Sequence, residues 1–228
     1  MNAINLKLAA ETLCLKEVKK CNYLVPSSTR KIRWEGLFIS EPMVKGNSKL
    51  HNIFIFDLMA ITDCMNCADC KKECYAVKAQ VQYSATYNKR LINSYLARFE
   101  LPLLEAMLRK QLASSKIKTV RVHSSGDFIS QEYYNMWQRV ALDYPKVKFY
   151  AYTKVEGLIN MGVHAPNFNI LFSHIHGKLN FGTLEYIQEL KKDHGTFLCP
   201  VTTLQGDLQC GKHCTYCVTK KNVAFLIH

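Results

Sequence analysis

The sequence predicts an α/β protein: a partial (β/α) barrel of about six mainly parallel strands, with an N-terminal helical extension. Three observations lead there. From residue 52 onward, short apolar runs alternate with helical stretches, the order in which a crossover helix brings each strand back parallel to the last. Polar and cysteine-bearing segments follow the carboxyl ends of successive runs, where parallel α/β folds build their sites. At 228 residues, the chain is long enough for one domain with its own core. Strand order alone would equally allow an open doubly wound sheet; the placement of the polar residues favours the barrel.

The elements follow in order. Residues 1–45 form an extension, helical by period to about residue 22, then turn-rich with Pro, Gly and Ser and a hairpin before residue 50. The main domain spans 46–228. "NIFIFDL" (52–58) is the first strand, and a cysteine loop leads from it into one long helical stretch from Val81 to Ser114. "KTVRVH" (118–123) is the second strand. The helix "SQEYYNMWQRVALDY" follows, with Ser130 and Glu132 suited to its first turn. Strands at 147–153, 167–174 and 195–200 are separated by short helices at 154–162 and 183–195, and "VAFLIH" ends the chain.

The formal charge is +12, from 30 Lys+Arg against 18 Asp+Glu. If eight cysteines ionise around two metal centres, each centre carries about −2 and the working charge falls to roughly +8. The remaining excess favours an anionic small molecule or nucleic acid as partner, weighed against a solvated basic surface. No apolar run reaches the roughly 18–20 residues of a membrane helix. No secretory leader opens the sequence, so a cytoplasmic location with reduced thiols is expected. Oligomeric state is not legible.

Eight of the ten cysteines fall in two groups. Cys64, Cys67, Cys70 and Cys74 have the C-x2-C-x2-C-x3-C spacing of a bacterial ferredoxin run. Cys199, followed by Pro200, precedes Cys210, Cys214 and Cys217 in "CGKHCTYC", whose C-x3-C-x2-C order leaves one iron of a cluster without a cysteine. One or two 4Fe-4S clusters are therefore expected. Structural zinc is the alternative, because C-x2-C pairs also make zinc knuckles. Tight triplets with a single distant cysteine favour iron. Either each group of four closes on itself, or Cys199 completes the first triplet and Cys74 the second. Cys14 and Cys21 read as small buried hydrophobes.

Other side chains carry weaker signals. Asp127 is a site candidate or a loop cap, and His123 is expected to hydrogen-bond within the loop layer. His174 and His176 share a side if extended. Arg121 points away from the face of Val120 and Val122, and Lys154 is a candidate anion contact. The stretch from Tyr75 to Phe99 interleaves Tyr75, Tyr83, Tyr87 and Tyr95 with Lys78, Lys89, Arg90 and Arg98, which suits single-stranded nucleic acid; its helical spacing fits packing against the sheet better.

"GNSKL", a cysteine loop closing on "CYA", "VRVHSSGDFISQEYYNMW", "FYAYTK", Cys-Pro, a terminal cysteine triplet and "VAFLIH" occur in that order. Together they resemble the phage gene-product-eighty-eight family from about residue 46 to the end. That family occurs in phages and mobile elements, and its sequences are distantly similar to radical S-adenosylmethionine (radical SAM) proteins. The resemblance implies a radical-SAM-like fold with the cluster loop after the first strand. It also implies that Ser125, Gly126 and Asp127 take the place of the turn that binds the SAM amino group. The C-x3-C-x2-C order stands near the chain's end, not after the first strand. The expected function is a redox or radical enzyme, SAM-dependent in one version, acting on an anionic or nucleic-acid-related substrate. The alternative is a non-enzymatic, metal-stapled nucleic-acid-binding or host-interaction protein.

Overall fold

The structure is a computed structural model that describes residues 41–66, 74–114, 116–159, 163–175, 178–200, 208–219 and 222–226. The predicted N-terminal helix, Cys14, Cys21, Cys67, Cys70 and His176 lie outside the described residues. The hairpin found differs from the one expected before residue 50: β1 (Val44–Lys45) runs antiparallel to β2 (Ile53–Phe56), the expected first strand, with Val44 opposite Ile55.

The stretch from Val81 to Ser114, expected as one long helix, is mainly two, α2 (Ser84–Phe99) and α3 (Leu101–Leu112), and a further helix, α1 (Tyr75–Gln82), begins before it. It breaks where Tyr83 (φ −119°, ψ 108°) and Glu100 (φ −136°, ψ 44°) leave helical geometry. Pro102 explains the second break. It lacks an N–H and its ring clashes with the carbonyl four residues back, so it is tolerated only in the first turn of a new helix.

β3 (Thr119–Val122) leads into α4 (Gln131–Asp143), capped as the sequence suggests: Tyr133 N donates to Ser130 Oγ at 3.2 Å, and Glu132 sits in the first turn. Ser130→Ala should lower stability by about 1 kcal/mol, read from the urea midpoint; an unchanged midpoint would remove the cap from the account. β4 (Lys148–Thr153), α5 (Glu156–Ile159) and β5 (Phe168–Phe172) continue the series. A small hairpin of β6 (His174–Ile175) and β7 (Lys178–Leu179) precedes β8 (Phe181–Gly182). α6 (Leu184–His194) starts at the Thr183 cap and ends at Gly195, whose φ of +60° is the left-handed stop that glycine adopts without strain. β9 (Phe197–Leu198), α7 (Tyr216–Thr219) and β10 (Val223–Leu226) complete the elements.

The principal sheet has the order β1-β2-β3-β4-β5, with β2 to β5 parallel. Alternation gives it two apolar faces, as a parallel sheet covered on both sides requires. Phe56, Val120, Val122, Phe149 and Phe168 meet the helices around Trp137, whose ring packs edge-on against Phe56 at 5.1 Å. Ile53, Arg121, Tyr150 and Leu171 belong to the other face by the same alternation. That face is covered by the C-terminal segment, through Val223, Phe225, Val218, Cys199, Cys210 and Cys217.

The strands expected as one series are split among hydrogen-bonded sheets. β8, β10 and β9 form a separate parallel sheet in that order. Asn180 links the two: its N–H donates to Ser173 O at the end of β5, and its carbonyl accepts from Phe225 N, both at 2.9 Å.

Candidate functional site

At the carboxyl ends of β2, β3 and β4 the loops are held by buried polar groups. Asp57, directly after β2, accepts hydrogen bonds from Ser124 N (2.7 Å), Ser124 Oγ (2.7 Å) and Ser125 N (3.0 Å). It also pairs with the buried Arg90 of α2 at 3.1 Å. Arg90 Nη1 reaches back to Ala76 O at 2.7 Å, so one carboxylate and one guanidinium tie the first turn of α1 to the loop after β3.

The outgoing leg of the cysteine loop is fixed in the same way. Asp63 is 1% exposed; it accepts from Met59 N at 3.0 Å and Ser94 Oγ at 2.5 Å, and forms an ion pair with Arg98. Gln80 takes Ala60 N at 3.0 Å, and Asn93 donates to Asp57 O at 3.0 Å. The basic and tyrosine-rich stretch thus turns inward: Arg90 and Arg98 hold carboxylates, Lys89 donates to Glu41 O, and Tyr87 is core. Of the interleaved set, Tyr75, Lys78 and Tyr83 are exposed.

The turn with Ser125, Gly126 and Asp127 packs against the leg that carries Cys64. Leu58 N donates to Ser125 O at 3.0 Å, and Asp127 N to Asp63 O at 2.8 Å. Gly126 has φ +80°, and a Cβ there would lie 2.6 Å from Leu58 Cβ, so the close approach requires glycine. Asp127 is buried and accepts from Thr153 Oγ1 (2.6 Å), Phe128 N (2.8 Å) and Lys154 N (2.9 Å). Burial pushes its carboxyl upward, opposed by those hydrogen bonds and by Lys154. Its oxygens are thus taken up in joining the β3 and β4 loops. Ser125 Oγ and Lys154 Nζ are buried with no hydrogen-bond partner. His123 was expected to bond within the loop layer; it turns instead into the core, where its ring meets Tyr133 Oη of α4 at 2.8 Å. His174 starts β6, immediately beyond β5.

The face away from the helices gathers the second cysteine group. Tyr152 Oη donates to Cys217 Sγ at 2.8 Å and Asn169 Nδ2 to Cys217 O at 2.9 Å. Cys210 is stitched to the strand entering β2, through Cys210 N to Lys49 O and His51 N to Cys210 O, both 2.9 Å. Burial pushes the Cys210 thiol up to about 12, and Cys199, Cys217 and Cys214 push in the same direction while Arg121 opposes them. Cys217 is raised to about 11 by burial first, with Tyr152 and Arg121 pulling down and Cys199 and Cys214 pushing up. Four thiols from two segments therefore lie within electrostatic reach of each other.

Arg121 stands between the two cysteine segments. Its guanidinium lies 5.8 Å from the Tyr152 ring centre, and Nη2 is 3.5 Å from Tyr75 Oη. Tyr75, next to Cys74, turns its hydroxyl to Ser124 O. A path of contacts thus runs from Cys74–Tyr75 through Arg121 and Tyr152 to Cys217. The Arg121 Nε is buried without a hydrogen-bond partner. Among the described residues, no three His, Cys, Asp or Glu side chains converge on a single-ion position. By chemistry, four thiols, a hydroxyl donor to sulfur and a buried guanidinium suit a thiolate-bound centre, whose negative charge needs both.

The sequence singles out the cysteines and the 125–127 turn as candidates but gives no prominence to Asp57, Asp63 and Tyr152, which hold the same loops and the Cys217 sulfur. An acidic residue just past a strand end, as in "IFDL", was the available signal for Asp57. Tyr152 was legible only as one of two alternating tyrosines in β4.

Comparison with known proteins places these features in a phage lineage. No solved structure matches the chain. It is 35% identical to the Gene 88 protein of Mycobacterium phage L5 over 98 residues, which is 39% of this chain and 41% of that protein. The Gene 88 protein of Mycobacterium phage D29 is 36% identical over the same length and the same shares. The alignment therefore spans about two fifths of these curated relatives. The family match begins earlier than the motifs do, at residue 28, which carries it into the segment read as an extension. Since residues 28–222 match it, the chain belongs to the Gene product 88 family.

Proposed function

We propose that this chain is an iron-sulfur protein that carries out redox or radical chemistry on an anionic or nucleic-acid-related substrate. The observation that supports this reading is the gathering of Cys199, Cys210, Cys214 and Cys217 beside Arg121 and Tyr152 on one covered face of the sheet. A 4Fe-4S cluster, when bound there, supplies a one-electron couple. The residues around it have separate tasks. The Tyr152 hydroxyl stabilises the Cys217 sulfur as a thiolate, Arg121 offsets the negative charge, and Ile53, Leu171 and Val223 exclude water. Cys64, Cys67, Cys70 and Cys74 would hold a second cluster, and zinc is the alternative occupant of either set.

The same reading takes the two sheets as one curved, partial barrel of the radical SAM kind. The long helices α2, α3 and α4 packed against one face, with only the four-residue α7 on the other, and the Asn180 link from β5 to β10 support it. In the SAM-dependent version, the 125–127 turn holds the cofactor. Ser125 Oγ is the group there that still has its hydrogen-bonding capacity, whereas Asp127 is occupied.

Anaerobically purified protein should contain iron and acid-labile sulfide, about four or eight irons per chain. Cys214→Ser should remove one cluster's share. A colourless protein containing only zinc would overturn the iron reading. Reduced protein that forms no 5′-deoxyadenosine from SAM, and whose EPR signal SAM leaves unchanged, would end the SAM version alone.

A further inference from the structure

The face that carries the C-terminal cysteines also carries a cleft of about 260 Å³. Cys210, Cys214 and Cys217 line one side, and Lys118, Lys146 and Lys148 line the other. Backbone pairing fixes two of the lysines as neighbours, since Lys148 N donates to Lys118 O at 2.9 Å. Lys148 shares the face of Tyr150 by strand alternation, and Lys146 precedes it in the turn. No acidic residue lines the cleft, and none of the three lysines has a carboxylate partner among the described residues. Three ammonium groups around one concavity repel each other, and a bound anion would turn that repulsion into attraction.

The walls suit a particular kind of anion. Tyr150 and Ile53, each 3% exposed, give an apolar floor, and Thr119 and Thr215 add hydroxyls. The cysteine wall is rigid: Gly211 has φ +82° and packs so closely that a Cβ would lie 2.5 Å from His51 O. Gly211 N also donates to Cys214 O at 2.9 Å. A small cleft with an apolar floor and a lysine rim accommodates a phosphate joined to one flat ring. The lysines are not needed as counter-charges to the thiols, because Arg121 already opposes the thiol charge from within the fold.

We propose that this cleft binds a phosphate-bearing nucleotide unit, free or within a single strand, beside the C-terminal cysteines. The proposal rests on the iron-sulfur reading for its chemical purpose but not for its binding. The test uses full-length, anaerobically purified protein, titrated with AMP and, separately, with fluorescein-labelled dT12. The Lys118→Gln/Lys146→Gln/Lys148→Gln variant should bind at least tenfold more weakly than wild type with unchanged iron content. The corresponding triple Arg variant should retain binding. For dT12, the slope of log K against log salt should become shallower in the Gln variant by about 0.7 for each phosphate that the lysines neutralise. Binding of AMP alone identifies a free nucleotide, and binding of dT12 alone a strand. Equal affinity of wild type and the Gln variant, or no binding of either probe at millimolar concentration, overturns the proposal. Lysine-dependent binding by a protein without iron would sink the iron-sulfur reading and leave the cleft standing.

Discussion

Asp57→Ala is expected to destabilise the protein by about 3–5 kcal/mol, the range for removing one partner of a buried ion pair. The reason is what remains behind. Arg90 is 4% exposed, and with Asp57 gone its charge keeps a single hydrogen bond to Ala76 O. Ser124 N, Ser124 Oγ and Ser125 N lose their acceptor at the same time. Adding Arg90→Met should recover a large part of the loss, because the stranded charge is removed with its partner. The check is the urea midpoint of the single and double variants. A single-variant loss below about 1 kcal/mol, or a double variant no more stable than the single, would remove Asp57 from the centre of the loop layer.

The order of strands was legible because each of β2 to β5 is a short apolar run between turn signals, and the observed bounds fall within one or two residues of the expected ones. Ser130 and Gly195 were legible for local reasons, as a cap and a left-handed stop. What was not legible depended on tertiary contact. Alternation in "VRV" tells that Arg121 faces away from Val120 and Val122, but not that the C-terminal cysteines will cover it. The helical period of the Tyr75–Phe99 stretch is compatible with a basic outer face. Only Asp57 and Asp63, distant in sequence, show where Arg90 and Arg98 turn. Similarly, spacing defines each cysteine group but not its location. Cys64 and Cys74 flank the loop at the strand ends, whereas Cys210 and Cys217 lie across the sheet face.

His123 should make the fold acid-sensitive well above the range where carboxylates titrate. It is 2% exposed, enclosed by Phe56, Phe128 and Tyr133, and burial together with nearby Arg121 pushes its pKa down to about 3. In the unfolded chain the imidazole takes its proton near 6.5. The folded state thus binds fewer protons between those two values. The stabilisation is complete above about pH 6.5 and is lost as pH falls, by about 1.4 kcal/mol per unit. The loss reaches about 2 kcal/mol at pH 5 and at most 4–5 kcal/mol near pH 3. Asp127, whose carboxyl is raised by burial, acts in the opposite sense and gains stability as it protonates. A comparison of variants is therefore needed to isolate the histidine. Asn suits position 123 because the backbone there has φ +67°, which Asn tolerates better than most residues. His123→Asn leaves Tyr133 without its partner, an offset that does not vary over this range. Unfolding free energies at pH 7.5 and pH 5 should therefore differ by about 2 kcal/mol more in wild type than in His123→Asn. Parallel pH dependences in the two proteins would show that His123 accepts its proton inside the fold.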